Sequence, residues 1–218
     1  MLKYSLLMTS CNRHELLAQT LNSFIENMDI RPQETIIVED GNTPPPHWIN
    51  AGHMENLGKL TWMNNGERKG QLHSADRLWE ACSNDIAFWS EDDWRFLAPG
   101  FMGRSQEIIE NYPEVFTVSM RGTNLTDWHP LVDDPRFPFK ILQPGYSWGW
   151  GGFTFNCGLR RKVDYKRLGV PYAQYVTQTN TPSFELEMSK RHVEMGYVIP
   201  DIGKYIEHTG AGHSCYGG

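Results

Sequence analysis

Residues 86–96, IAFWSEDDWRF, set three consecutive carboxylates, Glu91, Asp92 and Asp93, directly after an apolar run that reads as a buried strand. If the chain stays extended through them, Glu91 and Asp93 face one side and Asp92 the other. Two convergent carboxylates make an oxygen site suited to Mg²⁺ or Mn²⁺, ions that take one or two carboxylates and complete their shell with water and substrate phosphates. The alternative is an acidic turn facing water. Phe88, Trp89, Trp94 and Phe96 bracket the acids with rings and favour a recessed site. A further acid, Asp40, closes the apolar run ETIIVED. Arg13, Arg68, Lys69 and His213 are candidates to meet phosphates, with an ordinary surface position as the alternative for each.

These residues need a scaffold, and the periodicity supplies one. YSLLMTS (4–10) reads as a buried strand and runs into CNRHELLAQTLNSFIENM, where Leu17, Leu21, Phe24, Ile25 and Met28 follow helical spacing. Asn12 with Glu15 three residues on predicts a capping box. ETIIVEDG is a second strand, and the prolines of NTPPPHW exclude a helix after it. KLTWMNN predicts a third strand, and GQLHSADRLWEAC a helix whose Leu72, Ala75, Trp79 and Cys82 share a face. DIAFWSEDDW is the fourth strand. Strands alternating with helices predict a mostly parallel sheet flanked by helices, the α/β class. Such sheets bind ligands at the carboxyl ends of their strands, where Asp40 and the 91–93 cluster fall. Residues 113–148, rich in Pro, Asp and aromatics, predict irregular structure over that crevice.

At 218 residues the chain is expected to form one domain. Its net charge of −6 argues against a general grip on nucleic acid backbones. Cys11, Cys82, Cys157 and Cys215 are scattered without a CxxC pair, which fits reduced thiols and a cytoplasmic protein. No apolar run suits a signal peptide or a membrane span. A phosphate-binding GxxxxGK[ST] loop and a GxGxxG fingerprint after a strand are both absent from the sequence.

SLLMTSCNRHELLAQTLNSF, ETIIVEDG, Asn65-Gly66 ahead of SADRLWEA, and IAFWSEDDW occur in the order seen in family 2 glycosyltransferases of the GT-A fold, and residues 4–96 resemble that family most clearly. The resemblance implies that Asp40 contacts the nucleotide base or ribose. It also makes Glu91 and Asp93 the outer members of a DxD motif, with Asp93 the metal ligand; Glu91 departs from the usual Asp. Asp92 and Arg13 would complete the donor site. In TPSFELEMSKRHVEMGYVIP, Thr181 or Ser183 suits a cap, Pro182 a first helical position, and Phe184, Met188 and Met195 an apolar face. Matched to the family, Glu185 falls where the catalytic base lies, again Glu for Asp, with Glu187 and Arg191 on the neighbouring family positions. A first-turn Glu185 would be held ionised by the helix dipole, or would serve only its helix. His208 in YIEHTGAGHSC resembles the histidine that completes the metal site, and PGYSWGWGGFTFNCG, with Trp150, resembles the segment covering the donor sugar.

The resemblance implies a metal-dependent enzyme using Mn²⁺ or Mg²⁺, moving a hexose or pentose from a nucleotide-sugar donor such as a UDP-sugar to an acceptor hydroxyl, with inversion. Residues 1–96 would form the nucleotide-binding half and 97–218 the acceptor and catalytic half. The acceptor stays open among glycan, protein, metabolite and modified nucleic acid. Two rivals are a sugar-phosphate nucleotidyltransferase, which would release pyrophosphate from NTP and sugar phosphate, and a non-catalytic binding module, which would bind ligand without donor hydrolysis.

Overall fold

The run Ser5–Ser10 forms β1, a strand buried along its whole length because both of its faces are covered. The computed structural model describes residues 3–50, 52–122, 129–145, 152–175 and 181–210. After β1 come α1 (His14–Asn27), β2 (Glu34–Glu39), β3 (Lys59–Asn64), α2 (Gln71–Ala81) and β4 (Ile86–Glu91). β5 (Trp94–Phe96), α3 (Phe101–Asn111), β6 (Leu131–Val132), β7 (Ile141–Leu142) and β8 (Gly158–Arg161) follow, then α4 (Lys162–Arg167), α5 (Thr181–Glu194) and β9 (Ile206–His208).

The central sheet runs β3-β2-β1-β4-β8, with β8 antiparallel to β4 and the other pairs parallel. Alternation along the strands divides the core in two. Leu6, Met8, Ile37 and Phe88 pack with Leu17, Leu21 and Phe24 of α1 and with Phe101 and Met102 of α3. Leu7, Ile36, Val38, Ala87 and Trp89 meet Leu72, Ala75, Leu78 and Trp79 of α2, and Phe184 and Met188 of α5. Each such large side chain contributes about 1.5–3 kcal/mol on burial. The α/β prediction therefore holds, and Leu72, Ala75, Trp79 and Cys82 are all buried as their spacing requires. No helix among the described residues is long and apolar enough to cross a membrane.

The sheet reverses direction of growth at β1, which has β2 on one side and β4 on the other, so their carboxyl ends leave a crevice between Ser10–Arg13 and Glu91–Asp93. A second pairing supplies the crevice's outer wall: β5 and β9 run antiparallel with Trp94 opposite His208. Beyond α3, residues 115–121 form isolated bridges with 198–204, and β6 pairs β7. The described part of 113–148 is thus less irregular than its composition suggests.

Several local expectations fail for physical reasons. The capping box does not form: Asn12 adopts φ 54° and its amide donates to Glu39 Oε1 at 2.7 Å, which moves the N-cap to Arg13, without a side-chain capping bond. The strand does not continue through the acidic cluster, since β4 ends at Glu91 and the chain turns at Asp92–Asp93. Helix α5 begins at Thr181, so Glu185 lies beyond its first turn, Pro182 is its second residue, and Met195 falls past its end and is exposed. The apolar face is completed instead by His192, which is fully buried.

Candidate active site

Because the chain turns after β4, the three acids separate. Asp92 is fully buried and receives Arg13 through both Nε, at 3.2 Å, and Nη2, together with the Cys11 amide at 3.3 Å. Loss of water pushes its carboxyl up to about 6 even against the Arg13 charge. Asp93 takes Arg13 Nη1 at 2.8 Å and His208 Nε2 at 3.3 Å on its Oδ2, while its Oδ1 is buried without a partner. Burial alone would raise Asp93, but the His208 hydrogen bond and Arg13 outweigh it and the carboxyl is lowered.

Glu91 turns elsewhere. Its Oε1 accepts from Gln71 Nε2 and its Oε2 from the Trp94 indole at 3.3 Å. Part of the residue still meets solvent, yet its oxygens lie beneath those two side chains, and dehydration together with the Asp93 charge pushes it up to about 8. Glu91 and Asp93 therefore do not present a matched pair of ionised oxygens on one extended edge.

The β5–β9 register explains how His208 reaches Asp93. Trp94 pairs with His208, the two rings lie 5.0 Å apart, and the Thr209 amide donates to the Asp93 carbonyl at 2.8 Å. Gly210 lies so close that a Cβ there would stand 2.3 Å from Asp93 Oδ2. One buried orphan carboxylate oxygen beside an imidazole fits a divalent ion that keeps water and substrate phosphates as its other ligands, with the imidazole favouring Mn²⁺. Among the described residues no group of three or more His, Cys, Asp or Glu has metal-holding geometry.

Asp40 is tied into the fold at the end of β2. It is buried, and its oxygens accept from Asn65 Nδ2 at 2.8 Å and from the Lys69 and Gly70 amides at 2.8–3.1 Å, fixing the turn into α2. Its neighbour Glu39 is fully buried with Oε2 unpartnered at the same strand end. Sequence reasoning passed over Glu39; a charged residue closing a fully buried strand was the available signal. Arg13 meets Asp92 and Asp93, and Arg68 directs Nε and Nη2 to Cys11 Sγ at 3.4 and 3.3 Å. Trp150, His213 and Cys215 lie outside the described residues.

Across the crevice, Glu185 Oε1 accepts the Phe155 amide at 2.7 Å, and its carboxyl also takes the Thr154 hydroxyl. Burial raises Glu185 against those bonds and the Arg160 charge, opposite in direction to the effect expected of a helix dipole. Glu185 and Glu91 are close enough to repel. Glu187 forms an i,i+4 contact with Arg191 at 3.7 Å, and Arg191 lies 5.2 Å over Tyr175, so this pair braces the Tyr172–Tyr175 turn. Arg160, absent from the sequence reading, is a buried cation held by the Thr154 and Asn156 carbonyls at 2.6 and 2.8 Å, with its pKa lowered by burial to about 10.

A mostly parallel sheet flanked by helices, with acids at its switch point, is the GT-A fold. Residues 5–169 match glycosyl transferase family 2, and the chain belongs to that family. Similar solved structures include S. aureus TarS (TM-score 0.67, 12% identity, covering 95% of this chain and 37% of that one). Another is mannosyltransferase PcManGT from Pyrobaculum calidifontis in complex with GDP-Man and Mn²⁺ (0.63, 16%, 92% and 55%). GalNAc-T7 with UDP, GalNAc and Mn²⁺ is a third (0.64, 11%, 95% and 43%). The chain thus spans well under two thirds of each of these proteins, and at such identities the likeness speaks for the fold. No curated protein matches the chain.

Proposed function

We propose that the chain is an inverting glycosyltransferase that moves a hexosyl or pentosyl group from a nucleoside diphosphate sugar, a UDP-sugar in the first instance, to an acceptor hydroxyl. The observation that carries this reading is the convergence of Asp93 and His208 at the β1/β4 switch point, with Glu185 on the facing wall. In the reaction, Glu185 accepts the acceptor's hydroxyl proton, the freed oxygen attacks the anomeric carbon, and the bond from that carbon to the diphosphate breaks on the opposite side. The leaving diphosphate keeps the electron pair. A carboxyl raised by burial is a better proton acceptor near neutral pH than an ordinary glutamate.

Asp93 and His208 would hold Mn²⁺ or Mg²⁺. The ion supplies charge neutralisation for the departing diphosphate. Arg13, on Asp93 and Asp92, keeps these carboxylates oriented and is near enough to serve the phosphates as well. Glu91 orients Trp94, and Asp40 meets the nucleoside, with the unpartnered oxygen of its neighbour Glu39 at the same strand end. In this reading 1–96 hold the donor, and 97–218 supply the base and the acceptor surface. Cys11, Cys82 and Cys157, all buried and outside any disulfide, support a cytoplasmic setting. NMR of the product formed from a UDP-sugar, Mn²⁺ and a panel of acceptors tests the reading: an inverted anomeric centre is expected, and a retained one rejects it.

A further inference from the structure

Behind the site lies a cavity whose lining includes Thr117, Ser119, Arg121, Thr154, Asn156 and Cys157. It adjoins the carboxyl end of β4, because Cys157 Sγ sits 3.2 Å from Ser90 Oγ. It also adjoins the base, because the Thr154 hydroxyl is bonded to Glu185. Arg121 places its guanidinium carbon 5.5 Å over the Trp94 ring, the same ring that packs on His208 and donates to Glu91.

Among the described residues Arg121 makes no ion pair and no hydrogen bond. Of the other arginines near the site, Arg13 meets two aspartates, and Arg160 gives Nη2 to two carbonyls while its buried Nε has no hydrogen-bond partner. Asp201, the acid bonded to Arg121's own segment, is already occupied by the Ser119 hydroxyl at 2.7 Å and by the Gly122 and Gly203 amides at 3.2 and 2.8 Å. Burial lowers the Arg121 pKa, and Cys157 opposes that only in part. A part-buried guanidinium loses hydration and regains it only from a ligand, and its planar fork matches the two oxygens of a phosphate or carboxylate.

We propose that Arg121 binds an anionic oxygen group of the acceptor, a phosphate or a carboxylate, and so selects acidic acceptors. Arg121 lies over Trp94, which packs on His208, and it also shares its cavity with Thr154, which is bonded to Glu185; it is this second neighbour that assigns its anion to the acceptor, the substrate that must reach the base. The inference rests on the glycosyltransferase reading for the word acceptor, and on Arg121 alone for the anion.

The test is calorimetric titration of the full chain with glycerol 1-phosphate, glucuronate and glycerol at fixed ionic strength, with UDP and Mn²⁺ saturating. Wild type, Arg121→Gln and Arg121→Lys are compared, and UDP affinity is measured separately for each. At least one anion should bind wild type, bind Arg121→Gln about tenfold more weakly or worse, and bind Arg121→Lys in between, with glycerol inert and UDP affinity unchanged. Which anion binds separates phosphate from carboxylate. Binding of neither anion, equal binding by Arg121→Gln, or competition between the anion and UDP overturns the proposal. If UDP fails to bind wild type, the glycosyltransferase reading fails instead, and the same titration without nucleotide still judges Arg121. Should Arg121→Gln not fold, undiminished anion affinity in Arg121→Lys overturns it.

Discussion

His208 Nε2 stands 3.3 Å from Asp93 Oδ2, brought there by the antiparallel pairing of β9 with β5, while the other oxygen of that carboxylate is buried and unpartnered. The sheet edge and the C-terminal strand thus meet on one atom. Most of the consequences that can be measured concern what holds that atom in place.

Gly210 is the tightest constraint. An added Cβ would fall 2.3 Å from Asp93 Oδ2 and 2.8 Å from its Cβ and Cγ, and Asp93 cannot yield because Arg13 and His208 hold it. Gly210→Ala should cost about 1–3 kcal/mol of stability by overpacking and abolish Mn²⁺-dependent UDP binding. Urea melts and calorimetry check both effects, and retained binding would show that Asp93 has room to move.

Arg13 neutralises a fully buried carboxylate. Arg13→Ala leaves Asp92 dehydrated without its partner, and a loss of about 3–5 kcal/mol is expected, the usual cost of breaking a buried pair from one side. Arg13→Ala combined with Asp92→Asn should recover part of that loss. Denaturant unfolding of both variants measures it, and additive losses would contradict the pairing.

Glu91 makes stability depend on pH with a definite sign. Its carboxyl is raised from 4.5 to about 8 in the folded chain, so between those values the folded state keeps a proton that the unfolded state has released. Stability is therefore full below about pH 4.5, falls as pH rises, and stops falling once pH passes about 8. Asp92, raised from 3.8 to about 6, adds a fall over its own narrower window. Glu91→Gln should remove most of the decline between pH 6 and 8 in melting temperature without Mn²⁺; an unchanged slope would refute the assignment.

Glu185→Gln keeps a side-chain oxygen for the Phe155 amide but cannot take a proton. Transfer should fall by about 10²–10⁴, the usual contribution of a general base, with UDP affinity unchanged. A variant that transfers at near wild-type rate would move the base elsewhere.

Much of this was legible in the sequence because period and burial act locally. The unbroken apolar runs in SLLMTS and IIVE and the spacing of Leu72, Ala75 and Trp79 needed only flanking residues to be read, and the fold followed. What failed depended on tertiary competition. Asn12 gave its amide to Glu39 rather than to a capping box. A one-residue difference in where α5 begins removed Glu185 from the first turn. Arg121 carried no local signal at all, since its lack of an ion pair among the described residues appears only when Asp201 is seen to be occupied.

The most direct measurement is the thermal shift of the wild-type chain and of Asp93→Ala with UDP, GDP and their sugars, each with and without Mn²⁺. The wild type should be stabilised by at least one nucleotide only when Mn²⁺ is present, and Asp93→Ala should lose that Mn²⁺-dependent increment. Stabilisation indifferent to both the cation and the substitution would contradict a metal-assisted site at Asp93.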